Sequence, residues 1–98
     1  MIPMAERQTR ILVVDDDADL RSLLARYLAQ EGFAVFSAAD GAAMDQWLSG
    51  NEADLIILDI MLPGEDGLSL ARRLSKSSQT PIIMLSARGE DIDRIVGL

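Results

Sequence analysis

Cysteine and histidine are both missing from this 98-residue chain. Their absence excludes a disulfide framework and thiol chemistry, and it removes the two usual zinc ligands. Basic residues are scarce as well. Nine Lys and Arg against sixteen Asp and Glu leave a net charge of −7, the wrong sign for binding nucleic acid or an anionic membrane through this segment. No apolar run approaches the ~20 residues of a membrane span. The stretch Met1 to Arg10 has neither an apolar signal core nor a cleavage site, so residues 1–8 are expected to form a disordered tail and 9–98 the domain. A soluble, cytoplasmic chain is the expectation. What remains is ordinary globular composition, 49% hydrophobic and 26% charged, in a length that allows one domain or less.

The apolar residues are distributed in a repeating order. Ile11 to Val14 is wholly apolar, as a strand buried on both faces would be. Leu20, Leu23, Leu24, Tyr27 and Leu28 then follow a helical stripe, and Gly32 is placed to end that helix. Phe33 to Ser37 reads as a strand, and Asp40 can cap a helix carrying Met44, Trp47 and Leu48. Leu55 to Leu58 is a third strand. After the Pro63-Gly64 turn, Asp66 can cap a helix through Leu68, Ala71 and Leu74. Pro81 to Leu85 is a fourth strand, and a helix is predicted from Asp91 with Ile92, Ile95 and Val96 on one face. Such alternation specifies an α/β fold, a doubly wound parallel sheet with helices on both faces.

If the first and third strands are neighbours, Asp15, Asp16 and Asp59 meet at one sheet edge, where open α/β sheets place their sites. Each follows a buried strand, so an unpartnered carboxylate there is costly. Mg²⁺ prefers oxygen ligands, needs only one or two carboxylates and keeps positions for water or phosphate oxygens. The other acids have plainer roles. Asp17 and Asp19 lie where carboxylates favour the positive end of a helix; Asp40, Asp45, Asp54, Asp66, Asp91 and Asp93 read as caps or solvated surface. Ser86 ends the fourth strand at the same edge and either donates to a phosphoryl oxygen or simply starts a turn. The loop at Met61 either offers a backbone carbonyl to a metal or is an ordinary connection.

Val13-Val14-Asp15-Asp16-Asp17, the stretch from Leu58-Asp59 through Met61-Leu62-Pro63-Gly64-Glu65-Asp66-Gly67, and Pro81 to Ala87 together resemble the receiver domain of bacterial two-component response regulators, most closely the OmpR type. The resemblance implies a flavodoxin-like sheet of strand order 2-1-3-4. It implies that Asp59 accepts a phosphoryl group from a histidine kinase. Asp16 and Asp59 would hold Mg²⁺, with Asp15 acting through water and Met61 through its carbonyl, while Ser86 would bind a phosphoryl oxygen and report phosphorylation. Such a domain is a switch controlling transcription through a separate DNA-binding domain, not an enzyme in its own right.

One feature departs from the family pattern. Receiver domains use a lysine at the end of a fifth strand, and the single lysine here is Lys76. It falls at the far end of the third helix, roughly 15 Å from that helix's start at 1.5 Å per residue. The resemblance therefore implies a domain cut before its fifth strand and helix, which binds Mg²⁺ but is impaired in phosphorylation. With no fifth strand, the edge of strand 81–85 would lie bare, so self-association through it and the partial helix 91–98 is expected. The alternative is a fragment acting only in such binding. A haloacid-dehalogenase-like phosphatase is a further alternative, since Asp15-Asp16-Asp17 and Ser86 imitate its motifs; against it, Asp19 stands where Thr or Val is wanted and Asp59 has no role. A dinucleotide site is excluded because no Gly-x-Gly-x-x-Gly follows the first strand.

Overall fold

The computed structural model describes residues 8–85 and 95–97. Among the described residues eight elements follow one another: β1 (Arg10–Val14), α1 (Ala18–Gln30), β2 (Ala34–Ala38), α2 (Gly41–Leu48), β3 (Leu55–Asp59), α3 (Gly67–Ser77), β4 (Ile82–Leu85) and β5 (Ile95–Gly97). They build one sheet of order β2-β1-β3-β4-β5, in which the first four strands are parallel. This is the predicted α/β architecture with the predicted 2-1-3-4 order.

Alternation along the strands divides their side chains between two layers. Leu12, Val14, Ile56, Leu58, Ile82 and Met84 point to one face, where Met44 of α2 and Leu70, Ala71 and Leu74 of α3 complete the core. Ile11 and Val13 are buried but belong to the opposite face, which α1 covers. The α1 stripe forms as a helix without becoming core. Leu20, Leu24 and Leu28 are half-buried, whereas Leu23 and Tyr27 are 56% and 59% exposed. One helix alone does not enclose a sheet face, and α1 is the only helix on this one among the described residues.

The helix boundaries follow from local chemistry. Asp17, Asp40 and Asp66 cap α1, α2 and α3: the Asp17 carboxylate accepts two backbone N–H groups of the first turn, and those of Asp40 and Asp66 accept one each. After α1 the chain closes a Schellman motif: Gly32 at φ 96° donates to Ala29 O and Phe33 donates to Leu28 O. Glycine suits that left-handed position because it has no Cβ. At the start of the sheet, Arg10 N donates to the Asp54 carboxylate and Asp54 N returns a bond to Arg10 O, both at 2.8 Å. This reciprocal pair helps fix the register of β3 on β1. Pro81 lies just outside β4, and its carbonyl accepts Ile56 N. Residues 1–7 of the expected tail lie outside the described residues; Gln8 already donates to Gly32 O at 3.2 Å.

The last element corrects an expectation. Ile95 and Val96, predicted on a helix face, belong to a strand antiparallel to β4, in register Leu85↔Ile95, Met84↔Val96 and Ile83↔Gly97. An edge strand presents unpaired N–H and C=O groups, and β-branched Ile95 and Val96 suit an extended, paired backbone. The chain thus covers the β4 edge itself. Self-association through a bare strand 81–85 and a helix over 91–98 therefore loses its premise. The predicted helix start at Asp91 lies outside the described residues.

Candidate functional site

β1 and β3 run side by side in parallel, with Val14 opposite Leu58. One step further along each strand come Asp15 and Asp59, which emerge together at the C-terminal edge of the sheet. Both are almost wholly buried, Asp15 at 3% and Asp59 at 6% exposure, while Asp16 is exposed. Carboxylate oxygens of Asp15, Asp16 and Asp59 lie within 4.8 Å of one another.

Burial pushes the Asp15 carboxyl above its ordinary 3.8; the Asp17 N–H pulls against that shift, and the charges of Asp59, Asp16 and Asp17 reinforce it. Asp59 is raised for the same leading reason. There the N–H groups of Met61 and Ile60 oppose, and the charges of Asp16 and Asp17 add. Both carboxylates are thus costly to ionise without a cation, a condition that hard divalent ions relieve. The donor set is all oxygen and negatively charged, which fits Mg²⁺ and offers nothing to a metal that prefers nitrogen or sulfur.

The backbone around each buried aspartate is fixed. Asp17 N donates to Asp15 Oδ1 at 2.8 Å, and Met61 N donates to Asp59 Oδ1 at 3.0 Å. Asp15 N donates to Ala38 O, and the Arg21 guanidinium reaches back from α1 to Asp15 O at 2.7 Å. On the other strand, Gly67 N donates to Ile60 O at 2.9 Å. That glycine begins α3 directly against the phosphoacceptor candidate: a Cβ there would collide with Asp59 O and lie 2.7 Å from Ile60 Cα.

Of the residues proposed from sequence, Asp15, Asp16 and Asp59 are brought together. Met61 sits in the loop directly after them, with its amide engaged by Asp59. Ser86 lies outside the described residues; Leu85 before it pairs with Asp59 in the β3–β4 register. Lys76 occupies the last turn of α3 and is exposed, away from the cluster. Arg21 and Gly67 were not singled out from sequence. Gly67 carried a weak signal as the last residue of the loop motif, and Arg21 carried none. A cavity of about 500 Å³, lined by Arg73, Ala53, Thr80 and others, opens near the N-terminal ends of β3 and β4 and shares no residue with the acidic cluster.

A family model described as the response regulator receiver domain matches residues 11–98. The chain belongs to this family. It is 48% identical over 95 residues to Protein PetR of Rhodobacter capsulatus, covering 97% of this chain and 40% of PetR. Against the transcriptional regulatory protein ResD of Bacillus subtilis it is 46% identical over 91 residues, covering 92% of this chain and 38% of ResD. Against the transcriptional regulatory protein CpxR of Escherichia coli it is 47% identical over 90 residues, covering 91% and 38%. The chain therefore spans about two fifths of the length of these relatives. Among solved structures, the response regulator TrrA of Thermotoga maritima, in complex with Mg²⁺-BeF, superposes with TM-score 0.79 at 36% identity, covering 88% of this chain and 76% of that one. The BeF3-activated receiver domain of Klebsiella pneumoniae RstA gives TM-score 0.78 at 34% identity, covering 87% and 73%. No helix among the described residues is long and apolar enough to cross a membrane.

Proposed function

We propose that this receiver domain takes a phosphoryl group from a histidine kinase onto Asp59, at a site where Asp15, Asp16 and Asp59 hold Mg²⁺ with the Met61 carbonyl. The observation that carries this reading is the convergence of the three carboxylates, two of them buried, within 4.8 Å. An Asp59 oxygen attacks the phosphorus of the kinase's phosphohistidine. A P–O bond forms as the P–N bond breaks, and the imidazole leaves. Bound Mg²⁺ would neutralise charge on the phosphoryl oxygens, the main requirement of this chemistry. The Met61 N–H orients one Asp59 oxygen. Ser86 is assigned the phosphoryl hydrogen bond by its place after β4. The parent protein is proposed to be a cytoplasmic transcription regulator that binds DNA through a separate domain, in keeping with its relatives' names.

Lys76 stands nine residues along α3 from Gly67, about 14 Å at 1.5 Å per residue. Phosphorylation of these 98 residues alone is therefore proposed to be slow, with no lysine side chain at the phosphoryl group. Incubation with acetyl phosphate and Mg²⁺, followed by intact mass, tests the reading. One phosphoryl group is expected, with none added in chelator and none in Asp59→Asn. Addition that persists unchanged in Asp59→Asn contradicts the assignment. Mg²⁺ binding without any addition favours a binding role instead. Lys76→Ala is expected to leave the rate within about twofold, the scale of a surface change worth about 0.5 kcal/mol; a large loss would place Lys76 at the site after all.

A further inference from the structure

Asp15 has three hydrogen-bonding handles, and each is held by a different part of the fold. Its N–H is tied to Ala38 O of β2, its Oδ1 accepts Asp17 N, and its carbonyl accepts Arg21 Nη1. Only the last holder is a side chain. The bond is short, at 2.7 Å, as a charged donor allows, and the side chain is half-buried. Arg21 is itself fixed, because its own N–H closes the first turn of α1 onto Asp17 O at 2.9 Å. The other hydrogen-bonded guanidiniums lie elsewhere: Arg10 by Asn51, and Arg73 between Asp45 and Glu65. Among the described residues, then, Arg21 is the one cationic side chain hydrogen-bonded to the acidic edge. That bond goes to a neutral carbonyl, and neither ion pair among the described residues involves Arg21.

We infer that Arg21 is a positioning residue: it clamps the β1–α1 turn so that Asp15 and Asp16 present their carboxylates toward Asp59. This rests on the metal reading above. Its charge alone works the other way, since a guanidinium near three carboxylates repels an incoming cation. Removal of Arg21 therefore separates the two roles by sign. Loss of charge would tighten Mg²⁺ binding; loss of the clamp loosens it.

The test is Mg²⁺ titration calorimetry on the wild type, Arg21→Ala and Arg21→Lys, at a temperature where circular dichroism shows all three folded. Arg21→Ala is expected to bind Mg²⁺ about tenfold more weakly, within the 10–100-fold range of lost outer-shell support. Arg21→Lys, which keeps both a donor and the charge, should recover most of the affinity. Unchanged or tighter binding by Arg21→Ala overturns the inference. A second readout needs no metal. Backbone ¹⁵N order parameters of Asp16 and Asp17 in the metal-free protein should fall from about 0.85 toward 0.6 in Arg21→Ala. Unchanged values overturn the clamp, whereas a wild type that binds no Mg²⁺ overturns the metal reading and leaves this second result to judge Arg21.

Discussion

Gly67→Ala is expected to damage both the stability and the chemistry of this receiver domain. The methyl group would meet main chain rather than a yielding side chain: Asp59 O, Ile60 Cα at 2.7 Å and Asp59 C at 2.9 Å. Either α3 must move off the sheet or the end of β3 must give way. The first choice disturbs Leu70, Ala71 and Leu74 in the core; the second shifts Asp59, the proposed phosphoacceptor. Overpacking of this kind costs about 1–3 kcal/mol, and each 1 kcal/mol lowers Tm by about 4–8 °C in a domain of this size. Urea unfolding and thermal melts measure the first effect. The intact-mass assay measures the second, with phosphoryl addition expected to fall at least tenfold in protein that is still folded. Wild-type stability and wild-type phosphorylation together would mean that the close approach of α3 to Asp59 has no consequence. Gly32→Ala is the useful contrast, since its strain is backbone alone at φ 96° with no neighbour within 4 Å; it should lose stability but keep its chemistry.

The second large effect is a gain. Asp59→Asn should make the metal-free protein more stable at neutral pH while abolishing phosphorylation. The sign follows from the direction of the shift. Burial raises the Asp59 carboxyl above 3.8 in the fold, so the folded state holds its proton to higher pH than the unfolded chain does. Its unfavourable contribution is absent below the unfolded value, grows as pH rises through the folded value, and is complete above it. Asp15 behaves in the same direction. Asparagine keeps the shape and an oxygen for the Met61 N–H but carries no charge. In chelator, the stability difference between Asp59→Asn and the wild type should therefore widen as pH rises above the ordinary 3.8 and level off once the folded carboxyl is ionised. Saturating Mg²⁺ should narrow it, because the cation stabilises only the ionised cluster. A difference that shrinks with rising pH would mean that Asp59 is stabilised as a carboxylate in the fold, contrary to its burial.

Much of this was legible from the chain itself, for identifiable reasons. Runs such as Ile11 to Val14 and Leu55 to Leu58 are too short and too uniformly apolar for surface helices, and their alternation with helical stripes dictates a parallel sheet. Once β1 and β3 are neighbours, the convergence of Asp15, Asp16 and Asp59 is a matter of topology. Ile95 and Val96 misled because two apolar residues fit a helical face as easily as a strand. What decided between them was the open edge of β4, a tertiary demand invisible to local periodicity. The α1 stripe illustrates a related limit: its spacing makes the helix, yet Leu23 and Tyr27 remain exposed because burial needs a partner on that face. Arg21 and Gly67 escaped notice because reach and close approach are properties of three-dimensional placement.

The central claim is that Asp59, rather than Asp15, is the residue that becomes phosphorylated. Borohydride reduction of the acetyl-phosphate-treated protein converts an aspartyl phosphate to homoserine, and peptide mapping then locates it. The account predicts homoserine at position 59 and nowhere else, with none formed in chelator. Homoserine at position 15 or 16 would contradict it and would point instead to the phosphatase-like use of the first acidic run.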